Sequence, residues 1–264
     1  MARSALLNVM VQAAMKAGRS LARDFGEVEN LQVSRKGPSD FVSAADHKAE
    51  KIVREELQKA RPAYGLLMEE SGEIEGEDPQ HRWIVDPLDG TTNFLHSIPI
   101  FAVSIALERQ GQIVAGVIFN PVMDELFTAE RGRGAYVNDR RLRVASRSAL
   151  PDCVIATGIP FLGKGDHARC LKEIRHVMGE VAGIRRCGAA ALDLAWTAAG
   201  RFDGYWEHGL SPWDVAAGML MVREAGGFVT DLAGRDRVFE SQSIVAGNEK
   251  VQGELRRLLV TANA

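Results

Sequence analysis

Apolar positions recur at helical spacing from the start of the chain, where Leu6, Val9, Ala13, Ala17 and Leu21 share one face while Asn8, Gln12 and Lys16 interrupt it. The pattern predicts an amphipathic helix over 5–21, and its polar interruptions separate it from the continuous apolar core of a signal peptide. Residues 30–35 alternate weakly, and Lys36-Gly37-Pro38-Ser39-Asp40 reads as a loop. A second helix is predicted over 43–59, with Ala44, Ile52, Val53 and Leu57 inward and Lys48, Glu50, Lys51, Glu55 and Glu56 outward. Residues 64–68 form a short strand-like run that ends in Glu69-Glu70-Ser71. A polar, acidic loop follows to Gln80, and Trp83, Ile84 and Val85 open the next apolar run. If these two runs are neighbouring strands, the acids at their ends meet at one edge. From 101 the pattern is all sheet: strands 101–108, 113–119, 125–130 and 135–137, with turns at Gln110-Gly111, Asn120-Pro121 and Asn138-Asp139. Such short connections predict an antiparallel meander.

Composition shifts at 146–151, which predicts two parts: residues 1–147, α+β with the meander, and residues 148–264, a smaller α/β half. In the second half the pattern predicts a strand at 153–157, a helix at 167–181 and a short strand at 184–186. The alanine-rich segment after Gly188 continues as a helix to Ala199, where Gly200 stops it. A strand at 205–207 leads to Ser211-Pro212-Trp213-Asp214, whose Ser at the N-cap, Pro at the first helical position and Asp at the third start a helix that Gly226-Gly227 ends. Residues 228–230 are a last short strand.

With 264 residues, 46% of them hydrophobic and 25% charged, the chain has the makeup of a globular protein with a sizeable core. Its net charge of −3 does not advertise nucleic acid. Cys153, Cys170 and Cys187 are odd in number and lack metal-ligand spacing, so a reducing, cytoplasmic setting is expected, without a disulfide framework or zinc site. No stretch approaches the roughly 20 apolar residues of a membrane span. Arg131, Arg133, Arg140, Arg141, Arg143 and Arg147 cluster around the last hairpin; a solvated hairpin and a nucleic-acid patch both fit, and the lack of aromatic interleaving beyond Tyr136 favours the first.

The chemistry concentrates in Trp83-Ile84-Val85-Asp86-Pro87-Leu88-Asp89-Gly90-Thr91-Thr92-Asn93. Pro87 fixes its own φ and biases Asp86 toward extended geometry, so the turn is rigid. Hard carboxylates beside a turn carbonyl suit Mg²⁺, and the Gly90 and Thr91 amides can receive a phosphate oxygen. The same residues also read as an acidic turn with Asp89 or Thr91 as a helix cap. Asp46, in the first turn of its helix, and Asp214, at a cap position, each have an ordinary structural reading as well.

Taken together, the set resembles the inositol monophosphatase family. Its signatures here are Trp83 to Phe94 and Trp213-Asp214-Val215-Ala216-Ala217-Gly218; Lys36, Asp40, Asp46, Glu69-Glu70-Ser71, Gly188-Ala189-Ala190, Glu207 and Gly226-Gly227 fall in family order. The resemblance implies a layered αβαβα sandwich of the inositol monophosphatase and fructose-1,6-bisphosphatase (sugar phosphatase) type, with the site between its halves. It implies two or three Mg²⁺ per site: Glu69, Asp86 and the Leu88 carbonyl around one, Asp86, Asp89 and Asp214 around another. Thr91, supported by Asp46, would orient the attacking water together with Glu69. The Gly90 and Thr91 amides would take the phosphate, and Gly188, Ala189, Ala190 and Glu207 would face the alcohol. A small phosphorylated polyol substrate, a homodimer and lithium inhibition are expected on the same ground. Ala189 stands where the family often has Ser or Thr, and Met68 replaces a frequent glycine; neither is among the implied metal ligands. His96 and His208 are expected to make local contacts, and no cysteine is given a catalytic role.

Overall fold

The structure is a computed structural model, and it describes residues 3–25, 27, 33–37 and 40–263, the side chains of 33–37 and 40–43 excepted. In the first half, α1 (Ala5–Phe25) precedes the hairpin β1 (Val33–Gly37) and β2 (Asp40–Ser43), then α2 (Ala44–Ala60). Strands β3 (Tyr64–Met68), β4 (Gly72–Ile74) and β5 (Asp78–Asp89) lead to α3 (Thr91–Leu95). The meander follows as β6 (Ala102–Arg109), β7 (Gln112–Asn120), β8 (Glu125–Glu130), β9 (Gly134–Val137) and β10 (Arg140–Arg141). The second half comprises β11 (Val154–Thr157), α4 (His167–Met178), β12 (Gly183–Arg185), α5 (Ala190–Ala198), β13 (Gly204–His208), α6 (Pro212–Glu224), β14 (Phe228–Thr230), α7 (Val238–Ser241), β15 (Ser243–Gly247) and α8 (Glu249–Ala262).

These elements stack in alternating layers. An eight-stranded sheet of order β10-β9-β8-β7-β6-β5-β3-β4 is antiparallel except where β3 runs parallel to β5. On one face lie α1 and α2, sealing a core that includes Met10, Leu21, Leu57, Trp83 and Phe119. The other face receives α5 and α6, which also cover the five-stranded sheet β12-β11-β13-β15-β14. Beyond that sheet, α4 and α8 close the sandwich over Ile155, Trp206, Val245 and Leu255. The expected αβαβα arrangement is therefore present.

The middle layer explains the alanine-rich segment. Every residue of α5 is buried, as a helix clamped between two sheets must be, and so all of its residues but Asp193 and Thr197 are apolar. Close approach replaces bulk there: a Cβ on Gly218 of α6 would come within 2.5 Å of the Leu194 Cβ on α5.

Several expected boundaries shift for identifiable reasons. The acidic loop expected up to Gln80 instead contributes β4 and the start of β5. Helix α1 buries Leu7, Met10, Val11 and Ala14 beside the expected Ala13, Ala17 and Leu21, because it contacts both α2 and the sheet and needs a wide apolar face. In α2 the expected facing is wrong at two positions: Ala44 is exposed, whereas Glu50, expected outward, is buried at 4% exposure. The loop expected at 36–40 falls partly outside the described residues, as do the side chains of Lys36 and Asp40.

Candidate active site

Asp86 and Asp89 are three residues apart, and in a regular strand an odd separation sends side chains to opposite faces. Here β5 carries an irregularity against β6: Asp86 pairs with Ser104 and Asp89 with Ala102, so one extra residue is inserted around Pro87. Proline has no N–H for the ladder and is tolerated at such a bulge. The Leu88 N–H turns back to Asp86 Oδ1 at 2.9 Å. Because one extra residue reverses the alternation, both aspartates come to the same face at this end of the sheet, at 2% and 9% exposure.

Glu69 arrives from the neighbouring strand, as anticipated. Met68 of β3 is in register with Val85 of β5, and the Glu69 N–H donates to the Val85 carbonyl at 3.2 Å. Glu69 and Asp86 therefore leave the sheet side by side, near enough for a side-chain hydrogen bond between the two carboxyls. Asp214 enters from the middle layer. Its Oδ2 accepts the Ser211 N–H at 2.7 Å, so the cap reading is correct, and its charge is also felt at Asp86.

The electrostatics record how crowded this corner is. Burial pushes Asp86 well above the usual carboxylate range, and the charges of Glu69, Asp89 and Asp214 add to it. Burial raises Asp89 to about 7 against the pull of the Ala191 N–H, which donates to its Oδ2 at 2.7 Å. Asp214 also lies well above its ordinary value, through burial and then the charge of Asp89. Among the described residues, no three His, Cys, Asp or Glu side chains converge tightly enough to hold an ion as they stand. The acids are linked by charge across the site rather than by a closed cage.

Thr91 begins α3 beside this group. Its hydroxyl lies 3.0 Å from both Asp46 Oδ1 and the Leu88 carbonyl, and its single proton can serve either acceptor. Asp46, fully buried, thus does more than favour a helix terminus. Gly90 before it has φ +90°, a left-handed value suited to glycine, and a Cβ there would meet the Ile100 carbonyl at 2.8 Å and the Ala189 Cβ at 3.2 Å.

That contact joins the first motif to the loop before α5. Asn93 Nδ2 donates to the Cys187 and Ile100 carbonyls, both at 2.8 Å, and so holds Gly188 and Ala189 beside Gly90. Ala189 is the N-cap of α5 and supplies no side-chain cap bond, the consequence of lacking a hydroxyl. Glu207 reaches in from β13, accepting the Tyr205 hydroxyl at 2.6 Å on Oε2. Burial raises its carboxyl, with Tyr205 and then Arg186 pulling the other way.

Other residues of this corner carried no role in the sequence reading. Asn93 lay inside the motif, and only the distant chain it clamps reveals its purpose. Asp193 is buried at 1% exposure, with the Cys187 thiol beside its carboxylate; burial, then Glu207, pushes it well up against the pull of that thiol. Arg186 reaches over Gly188, where an added Cβ would lie 2.2 Å from its Nη1. Its only sequence signal was its position next to the Gly188 loop. His208 makes a local contact to Glu173, as expected.

The whole chain has close counterparts. It is 71% identical over 255 residues to an inositol-1-monophosphatase of Mesorhizobium japonicum, covering 97% of this chain and 96% of that protein. It is 46% identical over 249 residues to a protein of Pseudomonas aeruginosa named Nus factor SuhB, covering 93% and 92% of the two chains. The crystal structure of the extragenic suppressor protein suhB of Bartonella henselae superposes with a TM-score of 0.95 at 68% identity, covering 97% of this chain and 98% of that one. Residues 2–263 match the inositol monophosphatase family as a whole. With the layered fold and its carboxylate corner, these likenesses establish that the chain belongs to the inositol monophosphatase family and is a phosphatase.

Proposed function

We propose that the protein is a Mg²⁺-dependent phosphomonoesterase that hydrolyses myo-inositol 1-phosphate and related polyol phosphates. The observation that carries this reading is the carboxylate group of buried Asp86 and Asp89 and half-buried Asp214, each raised in pKa, with Glu69 beside it. Unit charges about 4 Å apart repel by roughly 4 kcal/mol at an effective dielectric of 20, so such a group is stable either protonated or gathered around a cation. The donors are all oxygen, a hard set that fits Mg²⁺. Glu69, Asp86 and the Leu88 carbonyl would hold one ion and Asp86, Asp89 and Asp214 a second, with two or three ions per site in use. Bound there, the metal supplies acidification of a water and neutralisation of phosphoryl charge.

The chain's own groups do the positioning. With Asp46 accepting the Thr91 proton, the Thr91 oxygen presents a lone pair to the attacking water, and Glu69 accepts a proton from it. The Gly90 and Thr91 amides receive phosphate oxygens at the start of α3. Gly188, Ala189 and Ala190 line the alcohol side, where Glu207 keeps Oε1 for a polyol hydroxyl because Tyr205 occupies Oε2. Phosphoryl transfer of this kind calls for no nucleophilic side chain. In keeping with that, burial pushes Cys153 up to about 11 and Cys187 up to about 12, leaving both as unreactive thiols. The same reading carries a homodimer, lithium inhibition, a cytoplasmic location and halves at 1–147 and 148–264 that meet at the site.

A substrate panel tests the choice. Inositol 1-phosphate should give the highest kcat/KM among inositol 1-phosphate, fructose 1,6-bisphosphate, histidinol phosphate and a 3′-phosphonucleotide. A value far below that for histidinol phosphate would overturn it. A regulatory role in binding RNA or protein on the same fold is the second reading, supported by the Nus factor name of the Pseudomonas relative and by exposed Arg140, Arg141 and Arg143. Against it, Arg131 donates to the Ile113 carbonyl and Arg147 pairs with Asp203 at 2.7 Å, so those side chains are committed to the fold. Salt-sensitive RNA binding that vanishes when Arg140, Arg141 and Arg143 are neutralised would favour it.

A further inference from the structure

Helix α2 carries a second buried acid one turn beyond Asp46. Glu50 is 4% exposed, and its Oε2 accepts the Glu70 N–H at 2.9 Å and the Ser71 N–H at 3.4 Å, while its Oε1 accepts the Ser71 hydroxyl. Those donors belong to the tight turn Glu69-Glu70-Ser71, which links β3 to β4 with Met68 and Gly72 in register. A turn that leaves a sheet in this way loses ladder partners for its amides, and each buried amide needs an acceptor. Glu50 provides it. Both of its oxygens are occupied by protein donors, so its part is to hold the turn rather than to serve as a ligand.

We infer that Glu50 is a positioning residue for Glu69 and sets the affinity of the site for its cation. The inference rests on the Mg²⁺ reading above. On one side the Glu69 backbone is pinned by its bond to the Val85 carbonyl, and on the other the next amide is pinned by Glu50. Because Asp46 and Glu50 are four residues apart on a single helix, they stand on one face about 6 Å apart along its axis. One rigid element therefore fixes both the Asp46 acceptor that orients Thr91 and the turn that delivers Glu69. The separation between these two parts of the site is then set by helix geometry, not by loop packing.

Isothermal titration of the full-length chain with Mg²⁺ alone tests this without recourse to turnover. Glu50→Ala should weaken the Mg²⁺ Kd by about tenfold or more, the range seen when groups that orient metal ligands are removed. Glu50→Gln, which keeps an amide-accepting oxygen, should recover most of that loss, and Ser71→Ala should weaken binding less than Glu50→Ala. Leu57→Ala, which opens the core further along the same helix, should lower Tm while leaving the Kd at its wild-type value. A folded Glu50→Ala that binds Mg²⁺ like wild type would overturn the inference, as would Leu57→Ala weakening binding equally. Should Glu50→Ala fail to fold, Ser71→Ala decides, and a wild-type Kd in that variant overturns the inference. A wild-type chain that takes up no Mg²⁺ would instead sink the Mg²⁺ reading and this inference with it.

Discussion

Strand β13 separates two buried acidic regions that solve the same problem in opposite ways. On its outer face Glu173, 1% exposed, takes the Arg169 Nε at 2.9 Å, the Trp206 Nε1 at 3.2 Å, the His208 Nε2 at 2.9 Å and the Asn263 Nδ2 at 2.8 Å. Burial alone would raise its carboxyl; the His208 bond and charge, then Asn263 and Arg169, outweigh burial and hold it below the usual range. On the inner face Glu207 looks toward Asp89, Asp193 and Asp214, and there all four acids are raised. Alternation along the strand explains the split: Trp206 and His208 point out while Tyr205 and Glu207 point in. A buried charge given its own donors is structural. A group of buried charges left short of donors is a place for a cation that the chain does not itself supply.

The largest expected effect breaks the inner group. Asp86→Asn should cost at least about a thousandfold in kcat/KM, on the order of 4 kcal/mol of barrier, because the proposal has it shared between both ions. In chelator the same variant should melt above wild type, since it removes one of several mutually repelling buried charges. Full Mg²⁺-dependent turnover would refute the shared role. On the outer side, Glu173→Ala should destabilise by about 3 kcal/mol, leaving Arg169 and His208 without their acceptor, while kcat stays near wild type. Denaturant melts with parallel kinetics would show whether stability and activity separate in this way.

Thr91→Val comes next. It removes the hydroxyl bonded to Asp46 while keeping the shape, and should lower kcat by about a hundredfold, roughly 2.7 kcal/mol, with KM little changed. Equal losses in KM and kcat would point to a binding role instead.

The smallest effect is the pH dependence of the metal-free protein, where the two regions have opposite signs. Asp89 rises to about 7 from an unfolded value of about 3.9, so its contribution to stability is present below pH ~4 and is lost as pH climbs through 7. Glu173 is lowered, so its contribution is present above an unfolded value of about 4.3 and is lost as pH falls through its folded pKa. Melting in chelator should therefore weaken by a few degrees from pH 5 to 8 in wild type and less steeply in Asp89→Asn, where the raised Asp86 and Asp214 supply the slope that remains. Identical slopes would show that Asp89 does not titrate there.

How far the sequence could be read differs between these regions for physical reasons. Asp86, Asp89 and Asp214 announce themselves because proline, glycine and cap chemistry are local, and the cap reading of Asp214 proved true without excluding a second task. The bulge that brings Asp86 and Asp89 to the same end is a property of strand pairing, so period-two reasoning would have parted them. Glu50 was misread because helical periodicity describes one buried face, whereas α2 packs on α1 and β5 and also meets the Glu69 turn. Glu173 drew no attention at all. Its partners come from α4, β13 and the end of α8, and only the folded chain brings them together. The strand β15, which joins β13 to β14, lies past the last element read from the pattern, so the second sheet was legible only in part.

Phosphate release from inositol 1-phosphate by the purified chain, assayed after chelation and again after Mg²⁺ is restored, tests the central claim most directly. Release is expected with Mg²⁺ and none in chelator. Equal release under both conditions would contradict it.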